Sequence, residues 1–123
     1  MNRIHMELRK GYYGFLPHQA WSPSVNLYET DESYCVCIDL SGVDKKKIDI
    51  EVVEQRLTLR GTRTIPECSV ESKSGKKPRI HLLEIDHGPF SREVELPQNV
   101  DRDKINAKYN DGMLWIELPK KEK

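Results

Sequence analysis

The side chains best suited to chemistry in this sequence are three cysteines and four histidines. Cys35 and Cys37 are separated by one residue, whereas Cys68 stands apart in a polar stretch. A structural zinc site needs four ligands, usually supplied by cysteine pairs with a wider spacing. We therefore predict no metal site and interpret the cysteines as small side chains, with redox sensitivity of the close pair as the open alternative.

Motifs for catalysis are missing from the sequence. No serine or cysteine stands in a nucleophile motif, and no glycine-rich loop could cradle a phosphate. The histidines are scattered along the chain as His5, His18, His81 and His87. We predict that the protein is not an enzyme, has no catalytic residues and uses no cofactor.

The charges are numerous but balanced. Charged residues make up 33% of the 123 residues, the formal net charge is zero, and acids and bases are interspersed except at the end, where Lys120, Lys121 and Lys123 lie close together. A nucleic-acid groove or a polybasic membrane anchor needs a basic excess, so we predict neither partner. No apolar run approaches the roughly 18 residues of a membrane span, and charges interrupt the first ten residues where a signal peptide would be apolar. With an odd number of cysteines, these features predict a single cytoplasmic domain.

Alternating apolar residues predict a chain built of β-strands. Tyr34, Val36 and Ile38 share one face of a strand, and Cys35 and Cys37 point to the other. Asn-Asp-Gly at 110–112 is a strong hairpin turn. Short strands separated by turn signals are typical of a β-sandwich. The predicted strands cover residues 24–29, 34–40, 48–52, 56–61, 80–86, 90–96, 105–109 and 113–118.

Two stretches of the sequence are alike. Residues 43–48 and 100–105 both begin with Val-Asp and end with Lys-Ile, and Asp44 and Asp101 are each placed to cap one helical turn. Each stretch leads into an alternating strand, a turn and a second strand. Two similar hairpins indicate two sheets packed face to face. A chance recurrence of a capped turn is the alternative.

Several short pieces, taken in their order and spacing, resemble the alpha-crystallin domain of the small heat-shock protein family. They are Trp21-Ser22-Pro23 with Asn26, Tyr28 and Glu29; Asp39-Leu40-Ser41-Gly42-Val43; Leu57-Thr58-Leu59-Arg60-Gly61 with Arg63; Gly88-Pro89-Phe90-Ser91-Arg92 with Leu96-Pro97; and Ala107 through Gly112-Met113-Leu114 to Leu118-Pro119-Lys120. The resemblance implies an all-β, immunoglobulin-like two-sheet sandwich over residues 21–120. A short flexible N-terminal arm (1–20) would precede it, and a short polar tail (121–123) would follow.

The function that the resemblance implies is that of an ATP-independent holdase. Such a chaperone binds partly unfolded client proteins and prevents their aggregation under stress. We expect the arm to contribute to client binding through Tyr12, Tyr13, Phe15 and Leu16. The alternative is an accessory or adaptor subunit that binds the C-terminal tails of other small heat-shock proteins and modulates their assembly.

An edge groove between two strands is the first site that the resemblance implies. It would receive extended peptides of the form Ile-x-Ile, with side chains at alternate positions entering apolar pockets. Ordinary core packing is the alternative for some of its residues. The edge groove consists of Ile48, Ile50, Val52, Ile105, Ala107 and Tyr109.

A dimer seam is the second implied site. The resemblance implies a homodimer in which residues 80–86 are exchanged with the partner's first strand. Apolar residues on both faces of this segment, among them Ile80 and Leu82, also fit a central strand within one chain. Arg92 matches an arginine that pairs with acids near the seam in the family, and Glu84 is its candidate partner.

Three departures from the family pattern affect the expected assembly. Ser41 stands where proline is usual, and the turn at 53–55 lacks glycine or asparagine. The given sequence also ends shortly after Lys120, without the Ile-x-Ile tail that links dimers in many members. We therefore expect a dimer or a small homo- or hetero-oligomer rather than a large cage.

Overall fold

The computed structural model describes residues 20–122, which form seven β-strands and two single 3-10 turns. Strands β1 to β7 are Val25–Glu29, Ser33–Asp39, Ile48–Val53, Arg56–Arg63, Gly88–Glu95, Asn106–Asn110 and Met113–Pro119. All neighbouring strands run antiparallel, in one sheet of order β1-β2-β7-β6 and a second of order β3-β4-β5. The predicted all-β, two-sheet sandwich is confirmed. The boundaries predicted for the arm, the domain and the tail remain predictions.

The core lies between the two sheets and is built from one face of each strand. In β2, Val36 and Ile38 point inward, and their partners in β7 are also enclosed. Removing each such side chain from water contributes roughly 1.5–3 kcal/mol, so the alternating pattern fixes which face of a strand is buried. The fully enclosed apolar side chains include Val36, Ile38, Leu40, Leu57, Leu59, Phe90, Ile116 and Leu118.

The two similar stretches form equivalent capped turns. The Asp44 carboxylate accepts a hydrogen bond from the Lys46 amide at 3.0 Å, and Asp101 accepts one from the Asp103 amide at 3.1 Å. The turns, Lys45–Lys47 and Arg102–Lys104, lead toward β3 and β6. Since β3 and β4 belong to one sheet and β6 and β7 to the other, the repeated hairpin appears once in each sheet, as predicted.

Two-residue turns close both of these hairpins. Asp111 and Gly112 have φ angles of 53° and 80°, the positive values that a type I′ turn requires, so the hairpin predicted at 110–112 is confirmed. Glu54 also has a positive φ, 55°, in the turn from β3 to β4. A left-handed conformation costs a residue with a side chain about 1–2 kcal/mol, and here this turn tolerates it without glycine or asparagine.

The strand predicted at residues 80–86 is not formed within the single chain. This segment pairs with no other strand in the described region, and β5 begins only at Gly88. Ile80, Leu82 and Ile85 are 62%, 75% and 61% exposed. Alternation favoured a strand, but a strand also needs a neighbour for its backbone hydrogen bonds, and one chain supplies none. Seven strands are therefore present in residues 20–122 instead of the eight expected.

Candidate functional site

The edge groove begins at β3, the outermost strand of the smaller sheet. Its residues Ile48, Ile50 and Val52 lie opposite Gly61, Leu59 and Leu57 of β4, whose two leucines are buried. The three β3 side chains therefore face the interior, yet each is only partly buried while packing against the core. The inner side of this sheet edge is therefore apolar, and the side chains on it remain partly exposed to solvent.

The edge strand β6 supplies the other side of the groove. Ala107 and Tyr109 lie opposite Ile116 and Leu114 of β7, which are buried, so both point inward. Tyr109 packs against the core and its hydroxyl donates a hydrogen bond to the Leu40 carbonyl at 2.7 Å. Ala107 is exposed, which leaves a space without a large side chain in the middle of β6.

The strand orders place β3 and β6 at the same side of the sandwich. At the other side, Trp21 forms a parallel bridge with Phe90 of β5 and leads directly into β1. Since the edge strands β5 and β1 both lie at that side, β3 and β6, the edge strands at the opposite ends of the two sheets, lie together at this one. Five of the six residues predicted for the groove pack partly buried against the core, and Ala107 is the open position. An outer strand with free backbone groups and apolar pockets can accept an extended peptide.

The residues predicted for the dimer seam do not form a cluster within one chain. Ile80 and Leu82 are exposed, and Arg92 is half-buried. The Arg92 guanidinium donates to the Pro23 carbonyl at 3.2 Å, which ties β5 to the residues that enter β1. Among the ion pairs of residues 20–122, none joins Arg92 to Glu84. The expected pair is therefore not formed inside the single chain.

Arg63, for which no role was predicted, holds the two ends of the long segment between β4 and β5 together. Its guanidinium donates to the Asp86 carbonyl from two nitrogens and to the Ser41 carbonyl at 3.0 Å. It also stacks over the Trp21 ring, 4.3 Å from the centroid. Arg63 thus fixes the point at which the chain returns to the sandwich after the exposed residues 80–86. These contacts are long-range, so no local pattern could have revealed them.

The close cysteine pair lies on the outer face of β2, as predicted. Cys35 is half-buried, and Cys37 is 4% exposed. Burial, and secondarily the nearby Glu117 carboxylate, raises the pKa of the Cys35 thiol. Burial, then Cys35 and Asp39, raises the pKa of the Cys37 thiol. A raised thiol pKa lowers the thiolate fraction at neutral pH, which makes both sulfurs less reactive.

Metal ligands, membrane-spanning helices and the N-terminal arm are the remaining points. Within the part of the chain that the structure describes, no group of three or more histidine, cysteine or acidic side chains could hold a metal ion. Residues 20–122 contain no helix with the length and apolar character that a membrane crossing requires. The predicted client-binding side chains, Tyr12, Tyr13, Phe15 and Leu16, lie outside the described residues.

The strand order, the two capped hairpins and the apolar edge define a β-sandwich of the alpha-crystallin type. The chain belongs to the Hsp20/alpha crystallin family, whose sequence model matches residues 26–123.

Individual relatives agree with this assignment. The chain is 35% identical over 100 residues to small heat shock protein C2 of Rickettsia felis, covering 81% of this chain and 61% of that protein. The hspA structure from Xanthomonas axonopodis matches with a TM-score of 0.68 and 30% identity, covering 83% of this chain and 96% of that one. A small heat-shock protein structure from Xylella fastidiosa matches with a TM-score of 0.70 and 28% identity, covering 85% and 91%. The chain thus spans about three-fifths of the length of curated relatives such as the Rickettsia protein.

Proposed function

We propose that the protein is an ATP-independent holdase that binds partly unfolded proteins and prevents their aggregation under stress. Membership of the Hsp20/alpha crystallin family supports a chaperone role. The observation that carries the proposal is the edge groove, where two outer strands hold apolar side chains that remain only partly buried. Unfolding proteins expose extended apolar segments, and such segments fit a strand edge lined with apolar pockets.

Binding of this kind requires no nucleotide. Apolar contacts gain their free energy when water leaves both surfaces, at roughly 25 cal/mol per Å² of buried apolar area. That gain is available whenever a client exposes apolar surface, and it disappears when the client buries the same surface again by folding. A groove with these properties therefore holds a client without hydrolysing ATP.

The arm is proposed to extend the surface that binds clients. Tyr12, Tyr13, Phe15 and Leu16 are large side chains between glycines and a proline, in a stretch without a strand or helix pattern. Apolar side chains on an adaptable segment suit binding to many different unfolded chains.

A homodimer formed by strand exchange is proposed to be the basic unit, able to join small homo- or hetero-oligomers. The exposed apolar side chains of residues 80–86, which find no partner strand in the described chain, support this proposal. The strand β1 is also an outer strand, so its free edge is open to a segment from a second copy. Pairing the two would cover Ile80 and Leu82 and satisfy their backbone groups.

The edge groove is proposed to accept Ile-x-Ile segments, and the protein is proposed to act in the cytoplasm. The relatives named as small heat shock proteins do not favour the accessory or adaptor alternative over a holdase.

A pelleting assay tests the proposed function. A heat-sensitive client is heated without nucleotide, alone, with this protein, or with an equal mass of an inert protein, and then centrifuged. We expect the client to remain in the supernatant only with this protein, in a complex that elutes ahead of either component on size exclusion. A client that pellets equally in all three samples would contradict the proposal.

A further inference from the structure

A cluster of positive charges lies in the long segment between β4 and β5. Lys73, Lys76, Lys77 and Arg79 occur within seven residues that include no acid. The Gly75 amide donates to the Ser72 carbonyl at 3.0 Å, which makes a turn inside this basic loop. All four cationic side chains lie in exposed residues, and the ion pairs of residues 20–122 include none of them.

A cluster of negative charges lies at the turn between β1 and β2. Glu29, Asp31 and Glu32 are exposed, and the turn is held by hydrogen bonds between Thr30 and Ser33. Lys120 binds the Glu29 carboxylate at 2.8 Å. The carboxylates of Asp31 and Glu32 take part in no ion pair within the described region. This acidic turn is therefore preorganised, and two of its three carboxylates form no ion pair within the described residues.

The two clusters are attached to opposite ends of the sandwich. Arg63 anchors the base of the basic loop at Ser41 and Trp21, which lie near the end of β2 and the beginning of β1. The acidic turn lies at the other end of these two strands, beside Lys120. The base of the loop therefore lies at the end of the sandwich opposite the acidic turn of the same chain.

We propose that the basic loop docks on the acidic turn of a second copy of this chain. The inference rests on the proposed dimer. The loop directly precedes residues 80–86 and the turn directly follows β1, so antiparallel pairing of these two elements between copies, the direction of all strand pairs in the described sheets, would bring the loop beside the turn. In a symmetric dimer the contact occurs twice. Complementary charges at the rim of an interface select the partner and fix its register. The contact thus favours pairing of this chain with a second copy of itself.

Charge exchange between the two clusters tests the inference. One variant carries Lys76→Glu, Lys77→Glu and Arg79→Glu, and the other carries Asp31→Lys and Glu32→Lys. Each homodimer then opposes like charges at both contacts, so its dissociation constant should rise at least about tenfold at low salt. The increase should shrink above about 0.5 M salt, where charges are screened within a few Å.

Mixing the two variants is the decisive experiment, because it tests whether opposite charges restore the dimer. A heterodimer restores an attractive pair at both contacts, so native mass spectrometry of an equimolar mixture should find mainly heterodimer. The control variant reverses three charges elsewhere, at Lys45, Lys46 and Lys47, and should dissociate like the unmodified chain. Unchanged dissociation of both charge variants, or a statistical mixture of dimers, overturns the inference while leaving the holdase and the dimer intact. An unmodified chain that is monomeric in sedimentation removes the dimer and this contact together.

Discussion

Ala107→Trp should close the edge groove without disturbing the sandwich. Ala107 is the exposed, small residue in the middle of β6, and its side chain points inward opposite Ile116. A tryptophan there would fill the space between β6 and β3 that a bound peptide needs. Since the position is at the surface, we expect the free energy of unfolding to change by no more than about 0.5 kcal/mol.

The expected loss of peptide affinity follows from the free energy of burying isoleucine side chains in the groove. Burying one isoleucine side chain contributes roughly 1.5–3 kcal/mol. Two isoleucines, less the entropy lost by fixing a flexible peptide, predict a dissociation constant on the order of micromolar to millimolar for an Ile-x-Ile peptide. Losing one pocket should therefore weaken binding by roughly tenfold to a hundredfold.

Backbone chemical-shift titration with an Ile-x-Ile peptide measures this directly. The matched control is Lys108→Trp, which adds the same side chain to the next residue of β6 but on the outer face, opposite Trp115. We expect the control to bind the peptide like the unmodified chain. Equal binding by both variants, or shifts that avoid β3 and β6, would refute the assignment of the groove.

Three further outcomes follow from the same structure. Deleting residues 66–79 should yield monomers in size exclusion with light scattering, because the segment proposed to cross to the partner would be too short; an unchanged dimer would remove the seam. Removing residues 1–18 should reduce protection of a heated client at equal concentration, and full protection would place client capture on the sandwich. Gly61→Ala should lower the Tm by at least about 4 °C in a thermal melt, because a Cβ there would lie 2.4 Å from both the Lys47 carbonyl and the Phe90 ring, and such overpacking costs about 1–3 kcal/mol. A Tm that stays constant would contradict that packing.

The sandwich was predictable because its signals are local. Alternation at Tyr34, Val36 and Ile38 identified the buried face of β2, and Asp-Gly at 111–112 identified the last hairpin turn. The capped turns at Asp44 and Asp101 showed which hairpins are equivalent. The groove residues were predicted through the resemblance to a family. The register then placed five of them on the inner faces of two outer strands, whereas Ile105 lies just before β6.

Long-range features were not predictable in this way. The alternating residues 80–86 have the pattern of a strand, but a sequence does not indicate whether a neighbouring strand is present. The contacts of Arg63 join residues from three separate parts of the chain. The expectation that acids and bases are interspersed as far as Lys120 was wrong for the basic loop and the acidic turn, because a net charge of zero over the whole chain does not show how the charges are grouped.

The proposed nucleotide-independent binding of unfolding proteins can be measured by light scattering of a heated client at increasing ratios of chain to client. We expect scattering to fall progressively as the ratio rises and to be unaffected by ATP, and we expect Ala107→Trp to weaken the protection while Lys108→Trp does not. Scattering that is independent of the ratio, or suppressed only when ATP is present, would contradict it.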